Sequence, residues 1–231
     1  MRENTNRLRV KVATSLCTGL GTRAWAAGER PKMDLQLFEF ESCPFCRKVR
    51  QALGALDLPV VIFPCPRKGR VYRPSLAKYG KIQVPFLIDP NRDFHACESR
   101  TIIKYLFANY GSEAAPFRYY SDILVPLGSL ASVFRFPSGA IARSGNQPEQ
   151  LIELFAVEGS LSCMRVREML CDLEIAYRLV PVAKNSRHQE QLKSRSKQAE
   201  LPWLSDINTS QEFVGADAIC EYLRRTYSSA S

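Results

Sequence analysis

The sequence predicts an α/β protein made of two tandem βαβαββα units joined by a partly helical linker. Three observations carry that prediction. The 231 residues suit one large domain or two small ones, and 45% hydrophobic with 24% charged residues is ordinary globular composition. Shifted by 117 positions, residues 35–111 overlay 152–228 without a gap and share 18 identities over 77 positions. Within each unit, short apolar runs alternate with helix-period segments bounded by proline, glycine or aspartate.

The elements follow in order. Leu35 to Phe40 is a short apolar run, a buried strand. Pro44 suits the first turn of a helix, and Val49, Leu53 and Leu56 recur at helical spacing up to about Asp57. Val60 to Phe63 is β-branched and apolar and is stopped by Pro64 and Pro66. Arg67 to Lys81 is a polar, basic loop with a short helix. Val84 to Ile88 is a third strand, Asp89-Pro90-Asn91 a turn, and 93–97 a short fourth strand. Ile102, Ile103, Leu106 and Tyr110 mark a last helix opened by Glu98-Ser99. The second unit repeats the order. Its matched residues include Glu41 with Glu158, Arg50 with Arg167, Pro85 with Pro202, Asp89 with Asp206, and Tyr105 and Tyr110 with Tyr222 and Tyr227. The tyrosines read as packing. The resulting organisation is an N-terminal extension (1–33), a first unit (34–111), a linker (112–150) and a second unit (151–231).

Several function classes are disfavoured. No apolar run reaches the ~18 residues that a membrane span needs, and residues 123–136 are interrupted by Pro126 and Gly128. The net charge of +9 is concentrated in the first half, unlike a uniformly basic nucleic-acid binder. No nucleic-acid partner is expected. Within that half, Arg67, Lys68, Arg70, Arg73, Lys78 and Lys81 make a basic loop. It reads as a solvated face or as a site of anion capture.

The chemistry centres on Cys43-Pro44-Phe45-Cys46, which follows a strand and opens a helix. The free N–H groups and positive dipole end of a helix stabilise a thiolate, and Arg47 and Lys48 add charge nearby. Cys43 is the expected nucleophile, and Cys46, one turn on, resolves a mixed disulfide. Half a zinc site or two inert thiols are the alternatives, but zinc needs four ligands and no second closely spaced pair exists. Cys65 and Cys97 are ordinary buried or rim cysteines, or they join Cys43, Cys46 and His95 as ligands of an iron–sulfur cluster or other metal.

This strand, Cys-Pro-Phe-Cys and helix, followed by Val84-Pro85 and by Glu98-Ser99 before a helix, resembles a glutaredoxin or the N-terminal thioredoxin-fold domain of a glutathione transferase. More closely, the chain resembles tandem thioredoxin-fold proteins of photosynthetic eukaryotes, over residues ~35–228. Glu39 to Arg50 and Phe63-Pro64-Cys65-Pro66-Arg67 carry that likeness. The resemblance implies two thioredoxin-like folds and a cis Pro85 that faces Cys43 and shapes the substrate groove. It implies that Val84 pairs its backbone with glutathione and that Glu98 and Ser99 hold the γ-glutamyl end. The implied activity is glutathione- or thiol-linked disulfide exchange on protein disulfides, with glutathione as substrate or reductant and no tightly bound cofactor. The competing class is a non-catalytic module that binds glutathione, a protein thiol or a cluster. Conjugating activity is not expected, because a second unit stands where a transferase has its all-helical domain.

The second unit departs from the pattern. Ser160, Leu161 and Ser162 replace Cys43, Pro44 and Phe45, so only Cys163 survives, and Gly215-Ala216 replaces Glu98-Ser99. It reads as a structural or binding partner of the first unit. The two are expected to dock, with an apolar helix over Tyr119 to Phe134 and a helical face of the fold buried between them. Residues 1–30 are rich in arginine, serine and threonine and poor in acid, with Ala24-Trp25-Ala26-Ala27 as a processing region. This reads as a plastid transit segment or as an ordered pre-segment, with cytoplasmic or mitochondrial placement as alternatives.

Overall fold

The structure is a computed structural model that describes residues 19–80, 82–121, 139, 141–143, 145–196 and 199–229. Strand β1 (Leu35–Glu39) pairs in parallel with β2 (Val60–Pro64) through the crossover helix α1 (Pro44–Leu56). A 3-10 helix (Arg73–Tyr79) leads to β3 (Phe86–Asp89), antiparallel to β1, and then to β4 (Phe94–Cys97). Helix α2 (Ser99–Tyr110) packs beside α1 and closes the unit. After the short α3 (Phe117–Tyr120), the second unit repeats this plan. It comprises β5 (Ile152–Ala156), α4 (Leu161–Asp172), β6 (Tyr177–Pro181), α5 (His188–Arg195), β7 (Trp203–Asp206), β8 (Gln211–Val214) and α6 (Ala216–Tyr227). The chain is therefore two tandem thioredoxin-like folds. Of the helix expected over Tyr119 to Phe134, only the first residues are described, within α3; 122–138 lie outside the described residues.

The period-2 pattern of the strands divides each unit into two cores. Leu35 and Leu37 of β1 face α1 and α2 and join Val49, Leu53, Ile102 and Leu106 in the main core. Phe38, with Phe86 and Cys65, faces the other way, where Leu76 of the 3-10 helix covers it. Helix α1 starts with proline at its first position and stops at Asp57, which takes a left-handed φ of 56°.

The two folds join edge to edge, not through a helical face as expected. β2 pairs antiparallel with β6, Val61 opposite Arg178, to give one eight-stranded sheet in the order β4-β3-β1-β2-β6-β5-β7-β8. The physical reason is on β2 itself. Val60, Val61 and Ile62 are apolar on both faces, and a bare edge of that kind invites aggregation. Arg178 secures the seam by reaching Asp34 at 2.6 Å and Glu153 at 2.8 Å.

A buried ion cluster sits on this seam. Arg50 pairs with Glu41 of its own unit (3.0 Å) and Glu158 of the other (2.9 Å), and Arg167 pairs with Glu41 (3.0 Å) and Glu158 (3.3 Å). These four residues are the matched pairs of the repeat, so the cluster has an approximate twofold axis. Glu39, bonded to Arg50, is the fifth member, and its counterpart is Ala156. Removing one partner of such a buried pair costs about 3–5 kcal/mol, because an uncompensated charge stays behind. The same symmetry governs the loops. Asp57 receives Ser186 and the Arg187 N–H, and Glu174 receives the Arg70 and Val71 N–H groups.

Residues 19–33 belong to the folded body. Ala24 N–H donates to Lys184 O at 2.8 Å, Trp25 N–H to Ala55 O at 3.0 Å and Gly28 N–H to Tyr110 O at 2.9 Å. Ala26, inside the stretch read as a processing region, is fully buried. The segment from Gly139 mirrors this path. It bridges Arg67 through Ile141, donates Arg143 N–H to Asp172 O and donates Asn146 N–H to Tyr227 O. Each unit thus carries a leading strap that crosses onto its neighbour.

Candidate functional site

The sheet register gathers the predicted residues at one end. β1 runs towards the Cys43 loop. Phe86 opposes Phe38, which places Val84-Pro85 beside the end of β1, and Cys97 opposes Phe86, which brings Glu98-Ser99 to the same level. The Val84–Pro85 peptide is cis, as the resemblance implies, and so is Leu201–Pro202 in the second unit.

Cys43 is the N-cap of α1. Its extended backbone (φ −75°, ψ 121°) turns Sγ back over the helix, where it accepts the Cys46 N–H at 3.4 Å. The Cys43 thiol is drawn down from 9.0 to about 7. The largest cause is the hydrogen bond from the Cys46 side chain; burial opposes it, and the N–H groups of Cys46 and Phe45 and the charge of Arg50 assist it. Burial, followed by the bond to Cys43, pushes Cys46 well above the usual thiol range. The two sulfurs are thus pushed apart, one towards a thiolate and the other held as a thiol. Cys43 itself is buried, and Phe45 beside it is exposed.

Glu98 takes a positive φ of 75° at the start of α2, and Gly215 takes 85° at the matching place. Glycine adopts this conformation freely, whereas a residue with a side chain is strained there by roughly 1–3 kcal/mol. The first unit keeps a side chain in spite of that cost. The Glu98 carboxylate is exposed and accepts the Gln83 amide at 2.6 Å, while Ser99 is buried.

The other cysteines behave differently. Cys65 also lies at this end, donating its N–H to Glu39 O at 2.6 Å, but burial pushes its thiol up to about 12. Burial likewise raises Cys163, Cys171 and Cys220. His95 lies on edge strand β4, its ring 5.1 Å from that of Tyr79. Cys43, Cys46, Cys65, Cys97 and His95 do not converge as a ligand set. Among the described residues no group of three or more His, Cys, Asp and Glu side chains is arranged to hold a metal ion. In the second unit, Ser160 caps α4 in the way Cys43 caps α1, accepting the Cys163 N–H at 3.4 Å. The capping function is retained and the cysteine is gone.

Two contributors were missed in the sequence. Ser42, next to Cys43, donates its N–H to Gly139 O of the second strap at 3.3 Å, so that strap borders the candidate site. Gly21 and Gly139 lie 118 positions apart, nearly the repeat offset, and that spacing is the signal for the straps. The matched tyrosines pack, as read, but they also bind aspartate. Tyr222 and Tyr227 donate to Asp206 at 2.7 and 2.5 Å, and Tyr105 and Tyr110 donate to Asp89.

A thioredoxin-like fold with a helix-capping cysteine, a cis-proline and a glutamate–serine step defines a glutathione-linked class of domain. The family model described as glutathione S-transferase, N-terminal domain, matches residues 37–114 and again residues 154–231. The chain belongs to this family and carries its domain twice. No curated protein and no solved structure matches the chain. Among the described residues, no helix is long and apolar enough to cross a membrane.

Proposed function

We propose that the protein is a glutathione-linked thiol–disulfide oxidoreductase whose active dithiol is Cys43 and Cys46. The observation that carries this reading is the split between the two sulfurs, Cys43 drawn down to about 7 and Cys46 held up. A thiol with a pKa near the ambient pH combines a large thiolate fraction with good nucleophilicity. The Cys43 thiolate attacks one sulfur of a disulfide and forms a mixed disulfide, and the other sulfur leaves as a thiolate that takes a proton from water. Cys46 then loses its proton and attacks the Cys43 sulfur, which expels the second thiol and leaves a Cys43–Cys46 disulfide. Two glutathione molecules reduce that bond and become glutathione disulfide, so electrons balance. Pro85 shapes the groove, and Val84, Glu98 and Ser99 hold glutathione. The strain accepted at Glu98, absent at Gly215, supports a ligand contact there. Conjugation of glutathione to chlorodinitrobenzene-type electrophiles is expected to be negligible.

The test is pH-dependent alkylation of Cys43 together with turnover of a glutathione mixed disulfide. An alkylation pKa near 7, with turnover abolished by Cys43→Ser, supports the enzyme. A pKa near 8.5 without turnover favours the binding module. Saturable glutathione binding under those conditions would assign Val84, Glu98 and Ser99 to a non-catalytic site.

A further inference from the structure

Charge at the surface of the first unit is more one-sided than its composition shows. Of the seven carboxylates in residues 34–111, Glu39, Glu41, Asp57 and Asp89 are buried, each within a network described above. Among the described residues of that unit, Arg47 and Arg50 are the only buried cations. The acids have turned inward and the bases outward.

The basic loop is also fixed to the dithiol end. Arg73 donates to Cys65 O at 2.9 Å, and the backbone N–H groups of Arg70 and Val71 are held by Glu174, both at 3.1 Å. The second strap ties loop and nucleophile together. Gly139 O accepts from Ser42, beside Cys43, and two residues later Ile141 bridges Arg67. The side chains of Arg67, Lys68 and Arg70 are exposed, and among the described residues none of them is in an ion pair. Phe45 and Ile141 are exposed large apolar residues, at 42% and 37%, Phe45 three residues after Ser42 and Ile141 two residues after Gly139. Carboxylates stand here too: Glu98 is exposed and bonded to Gln83, Asp172 accepts the Gly139 N–H, Glu168 lies beside Gly139, and the buried Glu174 is engaged by the loop's backbone.

We infer that this mouth, built jointly by the first unit and the strap of the second, docks an acidic polypeptide that carries the disulfide to be reduced. Phe45 and Ile141 supply apolar contact, and Arg67, Lys68 and Arg70 supply cationic contact. A polypeptide is favoured over other polyanions because the patch borders a thiolate, whose partner is a disulfide, and nucleic acids and lipid headgroups carry none. The inference rests on the redox reading of Cys43 for its substrate, but the docking is measurable without turnover.

Two peptides of equal length are compared, one rich in Glu and Asp and one with Gln and Asn in their places. Each is made as a cysteine-free, fluorescently labelled form for anisotropy and as a glutathione mixed disulfide for turnover. The acidic peptide is expected to bind at least ten-fold more tightly than the neutral one at low salt. That preference shrinks towards unity in 0.5 M salt, where surface charges are screened. In the variant Arg67→Glu/Lys68→Glu/Arg70→Glu the ratio of acidic to neutral kcat/KM falls to about one, and Ile141→Ser weakens binding of both peptides a few-fold. Equal binding of the two peptides, or a preference the charge reversal leaves intact, overturns the inference. So does at least ten-fold tighter binding of a single-stranded oligonucleotide of matched charge. If both mixed disulfides go unreduced while the anisotropy preference stands, the redox reading fails and the docking surface survives.

Discussion

Replacing Glu39 by glutamine tests the account of the seam. The cluster holds three carboxylates and two guanidinium groups, and Glu39 is the acid without a counterpart in the second unit. Burial is the largest influence on Glu39 and outweighs Arg50, so its carboxyl is raised from 4.5 to about 7. Between those two pH values the folded protein holds a proton that the unfolded chain releases, so stability falls as pH rises. The contribution is fully present below 4.5 and is lost as pH rises through 7. At roughly 1.4 kcal/mol per pH unit, ionising Glu39 costs the fold about 3 kcal/mol in all, most of which is lost between pH 5 and pH 8. Glutamine keeps an oxygen for Arg50 and carries no titrating proton. Urea unfolding of both proteins at pH 5 and pH 8 isolates the effect, because other groups, such as Asp172, raised to about 6, are common to both and cancel. The stability of Glu39→Gln relative to wild type should rise by about 2–3 kcal/mol from pH 5 to pH 8. A relative change below about 0.5 kcal/mol, or one of opposite sign, would falsify the claim that Glu39 is the uncompensated acid.

Three further outcomes are expected. Cys163→Ser should leave disulfide turnover within about two-fold of wild type, since Ser160 offers no partner sulfur; a loss equal to that of Cys43→Ser in the same assay would make the second unit catalytic. Tyr227→Phe removes a hydrogen bond to the buried Asp206 and should lower the unfolding free energy in urea by about 1.5–3 kcal/mol. Hydrogen bonds from the tyrosines also offset burial and hold the Asp206 carboxyl below 3.8, so its contribution is present above 3.8 and is lost as pH falls through the lower folded value, a loss that acid titration should show reduced in the variant. Gly21→Ala places a Cβ 2.7 Å from the Gln51 Cα at a φ of 77°, and should lower the melting temperature and speed amide exchange at Trp25 and Ala26, whereas unchanged exchange would show that the first strap does not depend on this contact.

The sequence by itself determined the duplicated unit, the order of its elements and the place of the candidate site. Those features are written in local pattern: apolar runs of strand length, a 3.6-residue period behind Pro44, and a Cys-x-x-Cys where strand meets helix. They also showed Ser160 standing where the first unit has Cys43, because a repeat aligned to itself exposes its own departures. Tertiary structure alone decided how the units meet. The pairing of Val61 with Arg178 joins residues far apart in the chain, and no local period encodes it. For the same reason Glu41, Arg50, Glu158 and Arg167 were legible as repeated letters but not as one buried cluster. The straps were hidden too, since they contribute through backbone hydrogen bonds that any side chain permits, with Gly21 and Gly139 as their faint trace. Even the charge balance needed the fold: composition counts carboxylates equally, and only burial shows that four of the seven in the first unit serve the interior while Arg67, Lys68 and Arg70 stay exposed.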